Sequence, residues 1–298
     1  MSTVTVVGAG GIGTVLAAEL AGAGHDVVVC ARSAGRLVVE RDDESHEVGA
    51  TVLTDPAAVT VSDWVLLCVK APDTPATGPW LRRACGPSTR VLVCQNGIDH
   101  VERVGGLIGP ATAIPALVYI AAERTGAGRV RHRRGGHIVV PDDPEGRRAT
   151  ALGSATLEVR PERDFHSAAW RKLLTNVAAN AITALTRRRM EVLADPAVRG
   201  LATALLAEAV QVGRSTGARL GADDVTATLD FYGRFGPSDG TSMLYDRLAG
   251  RRTEHASFNG AVCALGRRAG IPTPANDAVL ALLRATEPTP DDPARTPS

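Results

Sequence analysis

A chain of 298 residues, 44% hydrophobic and 22% charged, has an ordinary globular composition and is long enough to bury one large core or two. Its 33 basic and 32 acidic residues leave a net charge of +1, and aromatics make up only 3%, which argues against nucleic acid as a partner. No apolar segment approaches the ~20 residues that span a bilayer, and the glycine-broken N-terminal stretch lacks a signal peptide's basic flank, so no membrane is expected either.

The chain opens with a β-branched run over 3–7 that leads directly into Gly8-Ala9-Gly10-Gly11-Ile12-Gly13. An Ala- and Leu-rich helical segment follows over about 11–23, then a second strand over 26–30. A G-x-G-x-x-G loop between a strand and a helix is the pattern that cradles a dinucleotide pyrophosphate. Gly8 permits the tight turn, Gly10 lets the backbone approach the phosphates, and Gly13 allows close helix–strand packing. The helix N-terminus then faces the anion, so all six loop residues are expected against the cofactor.

An acid that binds the ribose hydroxyls is expected about 20 residues beyond such a loop. The second strand ends instead on Cys30-Ala31-Arg32, and Asp26 stands at its opposite end. A carboxylate would repel a 2′-phosphate, whereas a guanidinium pairs with it in bidentate fashion. Arg32 therefore predicts NADP(H).

Apolar runs at 64–69, 90–94 and 113–120 continue the βαβ rhythm of a parallel sheet. Lys70 follows the first run and Asn96-Gly97 the second, at the strand ends where open sheets bind ligands. Alone, Lys70 reads as a solvated loop lysine and Asn96 as a turn former; their matching positions make both candidates. Residues 128–141, GRVRHRRGGHIVVP, read as a hairpin turning at Gly135-Gly136, with its arginines charging a strand edge. A last strand over 156–160 precedes Pro161. Cys30, Cys68 and Cys94 close apolar runs and read as buried hydrophobes of a reduced, cytoplasmic protein. Neither the five cysteines nor the seven histidines show metal-ligand spacing, so no metal is expected.

Past Asp164 the pattern turns helical, over 165–187, 196–217, 223–235, 238–249, 254–269 and 275–285. The expected organisation is an α/β domain over 1–162, an all-α domain over 163–286 and a disordered, proline-rich tail over 287–298. In the first of these helices Trp170, Leu173, Leu174, Val177, Ala178, Ala181, Ile182 and Leu185 form a broad apolar face. Lys172, Asn176, Asn180 and Thr183 form a narrow polar line opposite, at spacings of four, four and three. A solvated face is the plain alternative, but such faces carry long charged side chains, and asparagine is a poor helix former. The line reads as the wall of a polar pocket. A lysine held there would stabilise the charge that hydride transfer develops on a carbonyl oxygen, and could donate the proton.

Together GAGGIG, Val69-Lys70, Gln95-Asn96-Gly97, the 170–185 helix, TSML-D at 241–246, Thr253-Glu254, Asn259-Gly260 and AGIPTPAND ending at 277 resemble the ketopantoate reductase (2-dehydropantoate 2-reductase) family. The similarity reaches to about Leu283. It implies a Rossmann-type dinucleotide-binding domain followed by an all-α domain like that of 6-phosphogluconate dehydrogenase. It also implies NADPH-dependent reduction of ketopantoate to pantoate, on the route to pantothenate and coenzyme A. The resemblance assigns Lys172 as the catalytic lysine and Asn96, Asn176, Asn180 and Ser242 to substrate. It assigns Lys70, Asn96, Ala122 and Glu254 to the cofactor; without it, Glu254 reads as a helix-start carboxylate.

The chain departs from the family pattern in three places. Thr186-Arg187-Arg188-Arg189-Met190 stands where a further substrate-binding asparagine is common, Tyr245 where glutamine is usual, and His255-Ala256 where Ile-Asp is common. The arginines either complement a helix dipole or signal a more anionic substrate. Two alternatives thus stand beside ketopantoate reduction: a paralogous reductase of another 2-oxo acid, and a noncatalytic NADPH-binding regulator. Retention of Lys172, both helix asparagines, Ser242 and Glu254 argues against the regulator. The expected partner is a small 2-oxo acid, with a homodimer left open.

Overall fold

Short aliphatic runs separated by glycine-bearing turns give the N-terminal half of the chain a parallel sheet. The computed structural model describes residues 1–42 and 44–288, and the chain divides into two compact units, Met1–Phe165 and His166–Ser298. The first unit begins with β1 (Thr3–Val7), α1 (Gly11–Gly22), β2 (Asp26–Cys30), β3 (Val38–Arg41), β4 (Glu44–Glu47) and β5 (Thr51–Leu53). It continues with β6 (Trp64–Leu67), α2 (Gly78–Ala84), β7 (Arg90–Val93), α3 (His100–Val104) and β8 (Thr112–Pro115). It closes with β9 (Leu117–Gly126), β10 (Arg129–Pro141), α4 (Pro144–Arg148) and β11 (Glu158–Glu162).

The main sheet has the order β5-β2-β1-β6-β7-β8, with every neighbouring pair parallel. This is the doubly wound Rossmann order, in which a strand order that reverses beside β1 opens a crevice at the carboxyl ends of the strands. The central strand β6 is apolar on both faces because each face is covered. Val4, Val6, Leu66 and Leu92 pack with Val15, Leu16 and Leu20 of α1 on one side. Val65, Leu67, Val91 and Val93 pack with Leu81 of α2 and Val104 of α3 on the other.

A second sheet has the order β11-β10-β3-β4 with β9 on β10; strand structure was expected over 128–141 and 156–160, but β3 and β4 were not legible in the pattern. β3 and β4 are four residues each, and Glu44–Glu47 is exposed throughout, so no alternation marks them. The run 113–120 is in fact two strands, β8 completing the main sheet and β9 entering the second. The expected hairpin at Gly135-Gly136 is also corrected. β10 is one 13-residue strand, and the reversal lies between Gly126 and Arg129, where β9 pairs with it antiparallel. Gly135 sits at an irregularity in that pairing with φ +82°, where a Cβ would come 2.1 Å from the Tyr119 carbonyl oxygen. The glycine pair thus marks a bulge.

From Phe165 the chain is helical: α5 (Phe165–Val177), α6 (Ala179–Thr186), α7 (Pro196–Ser215), α8 (Ala222–Tyr232), α9 (Ser242–Leu248), α10 (Asn259–Ala269) and α11 (Pro274–Ala285). The single helix expected over 165–187 is broken at Ala178, and the helix expected from 254 begins only at Asn259. Trp170, Leu173, Leu174, Val177, Ala178, Ala181 and Ile182 are buried as their spacing requires. Gly213 of α7 lets that helix lie against the Trp170 indole, which a Cβ would meet at 3.0 Å. Asp195 starts α7 by accepting from the Ala197 and Val198 N–H groups, with Pro196 in the first turn. Among the described residues no helix is long and apolar enough to cross a membrane. Of the tail expected over 287–298, residues 289–298 lie outside the described residues, whereas Glu287 is hydrogen-bonded to Thr253.

Candidate active site

The glycine loop is shaped by contacts that leave no room for side chains. Gly8 has φ +114°, and a Cβ there would lie 2.8 Å from Val69 Cγ1; at Gly13 it would lie 1.9 Å from the Gly8 carbonyl oxygen. Gly10 is different: nothing lies within 4 Å of its Cβ position. It is the N-cap of α1, without a side-chain cap and with no acid in the first turn. The donors at the start of this helix are thus left to an incoming anion, which fits a pyrophosphate. Ala9 and Ile12 are half-buried in the loop, and a Cβ at Gly11 would come 3.0 Å from the Ala122 carbonyl oxygen, which places Ala122 of β9 beside it.

Around this loop the strand ends bring up the other candidates. Arg32 is exposed just beyond β2, and Lys70 and Asn96 are half-buried just beyond β6 and β7. Sequence reasoning gave no role to the buried Gln95, which ties these last two segments together. Its Nε2 donates to the Val69 carbonyl and to Thr74 Oγ1, each at 2.8 Å. Arg103 Nη1 donates to Gln95 Oε1 and to the Asn96 carbonyl, each at 3.0 Å. His100 Nε2 stands 2.9 Å from the Gln95 carbonyl oxygen. Only the polar residue ending an apolar strand hinted at this.

In the second unit the polar line is at least half-buried along its length. Lys172 and Asn176 are half-buried, and Asn180 and Thr183 are buried. Asn180 Nδ2 donates to Asn176 Oδ1 at 3.1 Å, while Asn180 Oδ1 accepts from Ser242 Oγ and the Met243 N–H, each at 3.0 Å. Thr183 and Thr241 hydroxyls are 2.6 Å apart. The start of α9 is thereby tied to the line.

The break at Ala178 is held by side chains that sequence reasoning did not assign. Tyr232 Oη donates to the Leu174 carbonyl at 3.0 Å, and Asn259 Nδ2 to the Val177 carbonyl at 3.0 Å. Asn259 Nδ2 also donates to Asn276 Oδ1, and Asn276 Nδ2 to Glu208 Oε2 at 2.8 Å. A carbonyl freed where a helix breaks must find a donor, and the Tyr232 hydroxyl and the Asn259 amide supply it. No local pattern announces such partners, which lie tens of residues away.

Glu254 is buried in the turn before α10. Burial lowers the Lys172 pKa to about 8, and the Glu254 carboxylate pulls back upward. Such an ammonium keeps most of its proton at neutral pH yet yields it far more readily than a surface lysine. The arrangement can polarise a carbonyl and protonate an alkoxide.

The departures have structural partners. Tyr245 Oη accepts from the Gly240 N–H at 3.1 Å. Arg188 pairs with Glu191 at 3.2 Å, Arg189 donates to the Ser238 carbonyl at 2.7 Å, and the Met190 N–H donates to the Asp239 carbonyl at 2.9 Å. The run after α6 thus docks the turn that precedes α9.

The family model of ketopantoate reductase PanE/ApbA matches residues 4–145, and that of its C-terminal part residues 164–287. This chain belongs to the ketopantoate reductase family. A 2-dehydropantoate 2-reductase from Caulobacter vibrioides is 38% identical to it, over 96% of this chain and 99% of its own length. A PanE/ApbA family ketopantoate reductase from Ralstonia eutropha JMP134 superposes with a TM-score of 0.88 at 31% identity, covering 96% of this chain and 98% of that one. A dimeric ketopantoate reductase from Staphylococcus aureus gives 0.87 at 25% identity, over 96% and 98%. The parallel-sheet unit followed by helices is the fold of this family, and the chain is an oxidoreductase of the dinucleotide-binding kind.

Proposed function

We propose that this ketopantoate reductase family member reduces 2-dehydropantoate to pantoate with NADPH, Lys172 donating the proton. The observation that carries the reading is Lys172 itself: a half-buried ammonium with its pKa brought to about 8, in line with Asn176 and Asn180. Family membership and the names of the relatives support the substrate. Residues 1–162 would form the NADP-binding domain and 163–286 the substrate domain. A homodimer is proposed on the precedent of the Staphylococcus aureus relative.

NADPH, when bound, supplies a hydride to the keto carbon. Lys172 Nζ would hydrogen-bond the keto oxygen, stabilise the negative charge that develops there and pass it a proton, so that the ketone becomes a secondary alcohol. Glu254 keeps Lys172 charged enough to do so. Asn180 Oδ1 is committed to Ser242 and Met243, which makes this residue the organiser of the line. Asn176, whose Oδ1 accepts from Asn180, is left with amide donors for the substrate carboxylate. Ser242 Oγ donates to Asn180 and so keeps lone pairs for a substrate hydroxyl. On the cofactor side the uncapped start of α1 would take the pyrophosphate and Arg32 the 2′-phosphate. Lys70, Asn96, Ala122 and Glu254 would complete the cofactor contacts.

The test is NADPH oxidation against a panel of 2-oxo acids. Ketopantoate should give the highest kcat/KM. A bulkier or more acidic 2-oxo acid turned over better would replace the substrate, and no oxidation with any of them would leave a binding-only protein.

A further inference from the structure

Glu254 lies outside any helix, in the turn that runs from Thr253 to Phe258. Its backbone therefore lacks the regular hydrogen bonds that hold Lys172 within α5. What fixes both of its chain neighbours is a single carboxylate, that of Glu287, two residues past the end of α11. The Thr253 N–H reaches the two Glu287 oxygens at 3.2 and 3.3 Å, and the Thr253 hydroxyl donates to Oε1 at 2.5 Å. On the other side of Glu254, His255 Nδ1 stands 3.0 Å from Thr253 Oγ1 and 3.5 Å from Glu287 Oε1.

The cluster is shielded: the His255 and Glu287 side chains are 14% and 18% exposed, and Thr253 is buried. Arg247 of α9 donates to the Thr286 carbonyl next door, so the end of α11 is itself anchored. The charged groups about His255 are Glu287, Arg284 and Arg247. Burial, with the two arginines, holds the imidazole below its ordinary pKa against the pull of Glu287. The ring is thus neutral at neutral pH, and the cluster is joined by hydrogen bonds. His255, one of the departures from the family pattern, has its partner here.

We propose that Glu287 is a positioning residue for the reductase, a latch that grips Thr253 and His255 and so holds the Glu254 carboxylate beside Lys172. The inference rests on the proposed role of Lys172 and Glu254. A turn gripped on both sides of one residue has little freedom left at that residue. The turn's own short-range bonds, such as Ser257 N–H to the Glu254 carbonyl, are made by the backbone and do not aim the carboxylate. The attraction between carboxylate and ammonium falls as their separation grows, and it falls faster once water enters. Losing Glu287 should therefore leave Lys172 in place and remove its electrostatic support.

The experiment is Glu287→Ala and Glu287→Gln in the full chain, with two readouts against pH. One is kcat/KM for ketopantoate. The other is the acylation of Lys172 by an amine-reactive reagent, mapped by mass spectrometry, which reports the lysine without any turnover. Glu287→Ala should lower kcat/KM about 5- to 50-fold and move both midpoints down by about half a pH unit or more, since Lys172 loses the group that raises its pKa. Glu287→Gln keeps an acceptor oxygen for Thr253 and should recover most of the activity. If Glu287→Ala lowers Tm while the Lys172 midpoint stays at the wild-type value, Glu287 is a structural tie only and the proposal falls. Should that variant fail to fold, Thr253→Val takes its place and must move the midpoint in the same direction. Failure of the parent reading would appear separately, as a wild type inactive on ketopantoate.

Discussion

The loop Gly8–Gly13 and the polar line Lys172–Thr183 are built from opposite materials. The loop works through missing side chains: a Cβ at Gly8 or Gly13 would strike backbone or the Val69 side chain, and the openness at Gly10 leaves the start of α1 uncovered. The line works through side chains whose partners arrive from far along the chain, Ser242 from α9, Thr241 from just before it and Glu254 from the turn between α9 and α10. A backbone site tolerates change among its neighbours, because its donors are the main chain itself. A side-chain site concentrates its chemistry in one or two atoms.

That contrast sets the size of the effects expected. Lys172→Ala should cost the most, roughly 10²–10⁴ in turnover, the range for losing a positioned acid. NADPH affinity, measured by fluorescence titration, should stay close to wild type. Lys172→Arg should not restore turnover, because a guanidinium is too weak an acid to yield its proton. The pH dependence follows from the same group. A donor must be protonated, and burial has lowered the Lys172 pKa, so kcat/KM should be full below about 8 and fall as pH rises through that value. Turnover of Lys172→Ala within a few-fold of wild type would move the proton donor elsewhere and dissolve the contrast.

Arg32→Ala should come next. It removes one contact among several, the loop backbone chief among them, so binding should weaken without being lost. A hydrogen bond to a charged group is worth about 10- to 100-fold in affinity, and the loss should fall on NADPH, leaving NADH nearly unchanged. Equal losses for both cofactors, or a wild type that prefers NADH, would sink the assignment of Arg32 to the 2′-phosphate.

The same contrast explains what was legible in the sequence. The glycine loop, the βαβ rhythm and the strand-end positions of Lys70 and Asn96 are enforced by local backbone geometry, so spacing alone exposes them. The i, i+4 line on α5 and α6 was legible too, since one face of a helix is a local object. What supports the line was not. Tyr232 and Asn259 answer carbonyls freed at Ala178, and the break itself sits in the run VAANA, with no glycine or proline to mark it. Glu254 looked like a helix-start carboxylate because the turn from 253 to 258 contains no proline or glycine to announce it. Two strands of the second sheet, β3 and β4, were missed for a related reason: each is four residues long, too short to show a period.

The smallest effect should come from the arginines after α6, and it bears on whether the polar line extends past Thr186. Two of the three have partners that explain them, Glu191 for Arg188 and the Ser238 carbonyl for Arg189. Arg187 ends α6 in the left-handed region, φ +55°, with its side chain exposed. Exposed pairs of this kind contribute little to stability, and charges at a helix C-terminus act mainly on the dipole. The double substitution Arg187→Gln, Arg189→Gln should therefore leave kcat/KM for ketopantoate within about 3-fold of wild type and Tm within about 2–4 °C. A selective loss, large for ketopantoate with Tm unchanged, would mean that the arginines face the substrate. The polar line would then run on beyond Thr186, and a more anionic 2-oxo acid would become the better candidate. A loss confined to Tm would instead place the run wholly within the packing of α6 against the turn that precedes α9.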